Sequence, residues 1–299
     1  MELAPIVLFV YNRPWHTQQT VKALQKNKLA DRSDLFIYSD SPKDEQSEEA
    51  VQKVRKYIHT IVGFQTVTIR EREKNLGLAG SIIDGVSKVV NKYGRIIVLE
   101  DDIATSPYFL RYMNDALNFY QDEEKVMHIS GYMFPIDHRG LRETFFYRVT
   151  SCWGWATWIQ AWKYFKKDIK WVYQVFSRED RRAFNLDGNH NFWDQIEGNK
   201  LGRLNSWAIF WYASVFMRQG LCLHPARSLV NNIGHDGSGI HCGNSKKFTV
   251  LLIDKPITCF ETTIKEDPLA LARMKSFYRR YDGNIIMRLA GSLRRKLFP

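Results

Sequence analysis

Arg95-Ile96-Ile97-Val98-Leu99-Glu100-Asp101-Asp102 is a run of apolar, mostly β-branched residues that ends in three carboxylates. An unbroken apolar run of this kind reads as a strand buried on both faces of a parallel sheet. Ligands of open α/β sheets sit at the carboxyl ends of the strands. The sequence therefore delivers three acids to the rim where a ligand lies. Adjacent carboxylates repel one another unless a cation or a donor-rich ligand sits between them. A hard divalent cation, Mn²⁺ or Mg²⁺, bridging carboxylates to substrate phosphates meets that need. A solvated acidic turn is the other reading of the same residues.

Upstream, Ile6 to Tyr11 is a first apolar strand, followed by Asn12-Arg13-Pro14. Asn12 is expected to cap a helix that has Pro14 in its first turn and runs to about Asn27. Arg13 then stands at a strand-to-helix junction, either as part of an anion seat or paired with an acid on a neighbouring loop. Leu35 to Asp40 is a second strand ending in an acid, and Glu45 to Ile61 an amphipathic helix with Val51, Val54 and Ile58 on one face. Thr66 to Arg70 is a third strand. Asn75-Leu76-Gly77 lies in the loop before a helix carrying Ile82, Val86 and Val90, and Gly77 permits close backbone approach. Beyond Asp102, Ser106-Pro107 opens a helix to about Gln121, and Val126 to Ser130 is a fifth strand. This alternation predicts an α/β fold with a mostly parallel sheet flanked by helices.

The pattern changes after Gly131. Residues 1–130 read as one half, 131–255 as an aromatic-rich second half and 256–299 as a basic C-terminal helical tail. Trp153, Trp155, Trp171, Trp193 and Trp207 belong to the second half. They are expected mainly in the core, with exposed faces available to sugar rings. The formal net charge is +11. Between Arg273 and Lys296 eight Lys/Arg stand against one acid, Asp282, so most of the excess lies at the C-terminus. There apolar and basic residues alternate at helical spacing, which suits either a solvated helix or one lying on an anionic membrane surface. The cations do not cluster among the tryptophans, which argues against nucleic acid. No apolar run is long enough to span a bilayer, and no secretory signal is visible. The expected location is cytoplasmic, with peripheral contact on the inner face of the cell membrane. Four widely spaced cysteines then read as reduced thiols.

The ordered set Val10-Tyr11-Asn12-Arg13-Pro14, Asp40, Asn75-Leu76-Gly77 and Leu99-Glu100-Asp101-Asp102 resembles GT-A fold nucleotide-sugar glycosyltransferases. The nearest are bacterial family-2-like sugar transferases and the N-acetylglucosaminyltransferase I group, which shares the Glu-Asp-Asp form of the acidic motif. Trp153-Gly154-Trp155, Phe192-Trp193-Asp194 and Gly237-Ser238-Gly239-Ile240-His241 extend the likeness to residue 245. The resemblance implies that Asp102 binds Mn²⁺ or Mg²⁺ directly and that Glu100 and Asp101 contact the donor or order the metal's waters. It also implies that Asp40 accepts from the base, that Arg13 lies near base or phosphates, and that Tyr11, Asn12, Asn75 and Gly77 line the nucleotide-sugar seat. His241 matches a metal-site histidine. A leaving nucleoside diphosphate is the charge such a site must stabilise.

Inversion needs a general base. Asp194 beside Phe192-Trp193 is the first candidate and Asp236 the second. Relatives with an acid after a Ser-Trp segment are not matched, because Ser206-Trp207 precedes Ala208. The expected activity is metal-dependent, inverting transfer of a sugar from a UDP-linked donor to a glycan or polyprenyl-linked acceptor in bacterial surface polysaccharide synthesis. Ala208 sustains one alternative, a catalytically degenerate GT-A fold that binds carbohydrate or acts as a scaffold.

Overall fold

A computed structural model describes residues 2–237 and 246–280. The first half alternates as expected: β1 (Ile6–Val10), α1 (Pro14–Gln25), β2 (Asp34–Ser39), α2 (Glu45–Ile58), β3 (Thr66–Glu71), α3 (Gly77–Tyr93) and β4 (Arg95–Glu100). Then follow β5 (Ile103–Thr105), α4 (Phe109–Phe119), β6 (Val126–Ser130), β7 (Thr144–Tyr147) and β8 (Trp155–Trp158). Short helices α5 (Ile159–Trp162), α6 (Ile169–Val175), α7 (Arg178–Phe184) and α8 (Trp193–Lys200) lead to α9 (Ala208–Met217), β9 (Leu221–Pro225) and β10 (Val230–Asn232). A last described helix covers 268–280.

The main sheet has the order β3-β2-β1-β4-β8-β6-β9-β7. Strands β3, β2, β1 and β4 are parallel, and β8 runs antiparallel between β4 and β6. The second half thus builds onto the sheet begun by the first. Side chains alternate between two faces with period two. Ile6, Leu8, Val10, Ile97 and Leu99 enter one core cluster with Val21, Val54 and Leu117. Val7, Phe9, Ile96 and Val98 enter the other, against Ile82, Val86 and Trp155. That double burial explains why β1 and β4 read as continuous apolar runs.

The register pairs Val10 with Ser39 and Phe9 with Glu100. Three adjacent parallel strands therefore end level, and the residues after β1, β2 and β4 share one rim. A separate two-stranded ribbon pairs β10 antiparallel to β5, with Asn232 opposite Ile103. The ribbon carries residues 233–236 back to the tip of β4.

Two local expectations are corrected. Arg13, not Asn12, is the N-cap of α1 and makes no side-chain cap bond. Proline at the first helical position supplies no N–H, and the carbonyl of Arg13 is taken by the N–H and hydroxyl of Thr17 at 3.0 and 2.9 Å. Helix α2 stops at Ile58, although Ile61 remains buried. Its start is firm: Asp44 and Ser47 form a reciprocal capping box.

The second-half aromatics are mostly core. Trp155 is fully buried and stacks on His128 (5.4 Å) and Trp207 (5.4 Å), while Trp153 and Trp171 stay half-buried. In helix 268–280, Ala270, Met274 and Tyr278 pack with Met133, Phe145 and Phe192. Arg273 donates to the carbonyls of Asp137 and Arg139, and Lys275 pairs with Asp187. These two cations of the basic stretch are held by the body of the protein. The expected membrane-facing segment lies in 281–299, outside the described residues. No helix among the described residues is long and apolar enough to cross a membrane. Cys152, Cys222 and Cys259 are free thiols.

Candidate active site

The acid tip follows from β4. Glu100 is the last residue of the strand and is half-buried, and Asp101 and Asp102 turn inward and are buried. Burial, with the charge of Asp102 added, pushes the Asp101 carboxyl up to about 7, against relief from Arg13 and the Tyr11 N–H. Burial and the two neighbouring aspartates hold Glu100 well above the usual carboxylate range. These carboxylates are short of positive charge.

Arg13 supplies part of it. Its Nη1 donates to Asp102 Oδ2 at 2.8 Å and lies 3.8 Å from Asp101 Oδ1. Both side chains of the Arg13–Asp102 pair are nearly closed to solvent, at 15% and 12% exposure. Of the two roles open to Arg13, the contact seen is with an acid on a neighbouring strand end. Its Nη2 faces Asp236 Oδ1 at 3.7 Å. Asp236 Oδ2 lies 3.0 Å from His16 Nε2. Burial first, and then Arg13, lower the pKa of His16, opposed by Asp236, so the neutral imidazole is favoured.

The approach of 233–236 depends on a glycine. Ile233 N–H donates to the Asp102 carbonyl (2.9 Å) and Gly234 N–H to Asn232 Oδ1 (2.8 Å). A Cβ on Gly234 would stand 2.1 Å from Asp102 Oδ2 and 2.9 Å from Arg13 Nη1. A side chain there would displace the Asp102 carboxylate.

On the neighbouring strand end, Asp40 is buried, and its Oδ1 accepts from the N–H groups of Ser41 and Leu76, both at 3.0 Å. Asn75 donates to the Ser41 carbonyl (2.6 Å) and accepts from Gly77 N–H (3.1 Å). Gly77 enters α3 at φ +67°, a left-handed conformation that disfavours a side chain. Tyr11 reaches the same corner, its hydroxyl accepting from Lys43 N–H at 3.0 Å. Asn12 is half-buried beside Arg13 in the β1–α1 turn.

The chain thus gathers Tyr11, Asn12, Arg13, Asp40, Asn75, Gly77, Glu100, Asp101 and Asp102 along one rim, and brings Asp236 to it. Asp194 is different: it sits exposed in the first turn of α8, in the lobe built on Phe184 and Phe192. His241 lies outside the described residues. The sequence reading missed His16 and Trp15. His16 sits three residues after Arg13 on the helix face that also buries Thr17 and Thr20, whose hydroxyl donates to the Asp101 carbonyl. A polar buried stripe at helical spacing was the available signal. Trp15 is exposed beside His16, ring centroids 4.9 Å apart.

Among the described residues no group of three or more His, Cys, Asp or Glu side chains is arranged to hold a metal ion. Mg²⁺-type sites need fewer, using one or two carboxylates and completing the shell with water and substrate phosphates. Asp102 beside two charge-starved carboxyls, with a side-chain-free backbone at Gly234, fits that donor chemistry.

Residues 6–178, more than half of the chain, match the profile of Glycosyl transferase family 2. The chain belongs to this family. A family 2 glycosyltransferase also accounts for the architecture: the expected GT-A arrangement, a mostly parallel central sheet flanked by helices, is the one the chain adopts. Among solved structures this family 2 chain is similar to S. aureus TarS 1–349, at 12% identity over 76% of this chain and 59% of that chain, TM-score 0.42. It is also similar to the mannosyltransferase PcManGT from Pyrobaculum calidifontis in complex with GDP-Man and Mn²⁺, at 11% identity over 73% and 72% of the two chains, TM-score 0.41. A third likeness is to S. aureus TarS 1–349 in complex with UDP-GlcNAc, at 15% identity over 46% and 37%, TM-score 0.31. The chain spans 23% of the longer TarS structure and 59% of TarS 1–349. A comparison with curated proteins returns no significant match.

Proposed function

We propose that this chain is a metal-dependent, inverting glycosyltransferase that moves a sugar from a nucleotide donor, UDP-linked, to a glycan or polyprenyl-linked acceptor in bacterial surface polysaccharide synthesis. One observation carries the reading: the Glu100-Asp101-Asp102 tip, Arg13 and Asp40 occupy the level ends of three adjacent parallel strands. The UDP choice rests on the Glu-Asp-Asp form shared with the N-acetylglucosaminyltransferase I group.

Asp102 would hold Mn²⁺ or Mg²⁺, with His241 a further ligand. When bound, the ion neutralises charge on the departing diphosphate. The protein's own groups do the rest. Arg13, already balanced between Asp102 and Asp236, is a cation within reach of a diphosphate at this rim. Asp40 and the Asn75–Gly77 turn shape the base and ribose seat. Asp236 is the proposed general base, taking the acceptor hydroxyl proton as the oxygen attacks the anomeric carbon. Its half-exposed carboxylate meets neutral His16 through Oδ2 at 3.0 Å and faces Arg13 through Oδ1 at 3.7 Å, and these two contacts would orient it toward the acceptor hydroxyl. Asp194, exposed on α8, is the second candidate. The exposed ring of Trp15 offers the acceptor sugar an apolar face.

Calorimetry of UDP with and without Mn²⁺ tests the reading in wild type and Asp102→Ala. The expected result is Mn²⁺-dependent UDP binding that weakens at least tenfold in the variant, with donor hydrolysis or transfer lost in parallel. Metal-independent binding and transfer, or full activity in Asp102→Ala, would refute it. Wild-type binding of sugar chains with no metal-linked nucleotide binding would instead support the degenerate scaffold that Ala208 keeps in view.

A further inference from the structure

We propose that a second concave surface, on the outer edge of the sheet, binds an extended polyanionic glycan, a sugar chain carrying one carboxylate or phosphate per repeat. The surface is a groove of about 680 Å³ between β2–β3 and α3. It exists because α3 packs on β1 and β4 and leaves the α3-side face of β2 and β3 partly uncovered.

Its charge comes from strand alternation. Glu71 is held by Arg55 Nη1 (3.3 Å) and His59 Nε2 (2.7 Å), both on or just beyond α2. Its neighbours Arg70 and Arg72 face the other way. Arg72 lies over the Tyr38 ring (5.2 Å) and bonds Asp84 at 2.9 Å. Asp84 is shared with Lys88, also at 2.9 Å, so one carboxylate serves two cations. Lys92 lies over Tyr93 at 4.9 Å. Among the described residues no ion pair engages Arg70, Lys74 or Lys92, and Glu73 is the remaining carboxylate on the wall. The groove is thus positive and only partly compensated.

The cations form two rows. Arg70 near the end of β3 and Arg72 just beyond it, two residues apart in extended chain, stand ~7 Å apart. Lys88 and Lys92, four residues apart on a helix, are ~6 Å apart along its axis. Paired rows with this spacing suit a chain that bears charge at each repeat. Single-stranded nucleic acid would need exposed ring faces for stacking. Here Tyr38 is buried and stacked on Phe9 (5.5 Å), Phe36 packs against Tyr93 (5.6 Å), and Arg72 and Lys92 cover the open sides. The groove also shares Leu76 with the Asp40 corner. On the glycosyl-transfer reading, to which this last step is tied, the bound chain is a distal stretch of the acceptor that passes the base end of the donor seat, away from the Asp236 and Trp15 end where transfer would occur.

The test is fluorescence polarisation of the full chain with two labelled anionic probes, an octagalacturonate and a phosphomannan fragment, measured without donor. Neutral maltooctaose and single-stranded dT20 are the comparisons. Arg70→Glu/Lys92→Glu is expected to weaken both anionic probes at least tenfold, and Arg70→Gln/Lys92→Gln by less. Wild-type affinity should fall as salt rises, and maltooctaose should bind weakly throughout. Because the variants are read against wild type, attraction from other basic segments cancels. UDP binding with Mn²⁺ is measured on the same samples and should not change. If it is absent in all of them, the donor reading fails and the groove is still judged by the probes. Unchanged anionic binding in the charge-reversed variant overturns the proposal, as does equal affinity for maltooctaose or tighter binding of dT20.

Discussion

Gly234→Ala probes the site with a single methyl group. The added Cβ would stand 2.1 Å from Asp102 Oδ2, 2.9 Å from its Cγ and 2.9 Å from Arg13 Nη1. Non-bonded carbon and oxygen atoms need roughly 3.5 Å for an optimal contact, so the carboxylate must retreat by more than about 1 Å or the 233–235 backbone must lift. Retreat of the carboxylate breaks the 2.8 Å Arg13–Asp102 bond and shifts the group proposed to hold the metal, whereas lifting the backbone loosens the 2.9 Å Ile233 bond to the Asp102 carbonyl and moves Asp236 away from the rim. A displacement of about 1 Å in a reacting constellation can lower the rate about 100-fold. That corresponds to about 2.7 kcal/mol of lost transition-state stabilisation. Gly234 follows the outer strand of a two-stranded ribbon, outside the main sheet, so the fold should tolerate the change. The assay is Mn²⁺-dependent donor hydrolysis or transfer across a panel of nucleotide sugars, with a thermal melt of the same preparation. Activity down about 100-fold with Tm within about 4 °C of wild type is the expected pair. Activity within threefold of wild type, in a variant that melts normally, would refute the claim that this close approach builds the site.

Three further outcomes are expected. Because Asp101 titrates at about 7 in the folded protein, above its unfolded value near 3.9, its ionised form destabilises the fold as pH rises across that window; Mn²⁺–UDP binding should therefore release about one proton near pH 6 and almost none at pH 8.5, read by calorimetry in buffers of different ionisation enthalpy. His128 and His224 are buried with pKa values lowered to about 3 and about 4, so their neutral forms favour folding fully above about pH 6.5, and that contribution disappears as pH falls toward 4. Because Asp101 opposes this slope, the contribution is read by difference: the change in Tm between pH 7 and pH 4 should be less destabilising at the acid end in His128→Gln than in wild type, and identical pH slopes would contradict this. Asp236→Asn should lower kcat by about 100-fold or more with donor KD little changed, whereas Asp194→Ala stays within a few-fold; the reverse ranking would move the base to α8.

Much of the rim was legible from sequence because each piece is local. Apolar runs buried on both faces mark β1 and β4, Asp40 directly follows β2, and Glu100 closes β4 with Asp101 and Asp102 directly after it. What was not legible depends on contacts between distant segments. His16 has no motif, and its meaning comes from a partner at position 236. The position of Asp236 beside Arg13 and His16 depends on the β5–β10 pairing, which joins positions more than a hundred residues apart. The second-half strands were hidden because β7, β8 and β9 are short and join the sheet out of order, while the tryptophans around Trp155 signalled bulk without direction. The dipeptide Asn12-Arg13 misled as a cap because proline moved the helix start by one residue.

The β5–β10 ribbon also sets an order of assembly. The parallel strands β1 to β4 can form from neighbouring segments, but the Asp102–Arg13–Asp236 constellation waits until residue 230 returns to residue 105. Closing so long a loop is slow compared with local pairing. During refolding, the helical and strand signal should therefore return ahead of nucleotide affinity, leaving a transient species that has the scaffold of the enzyme and no place to work.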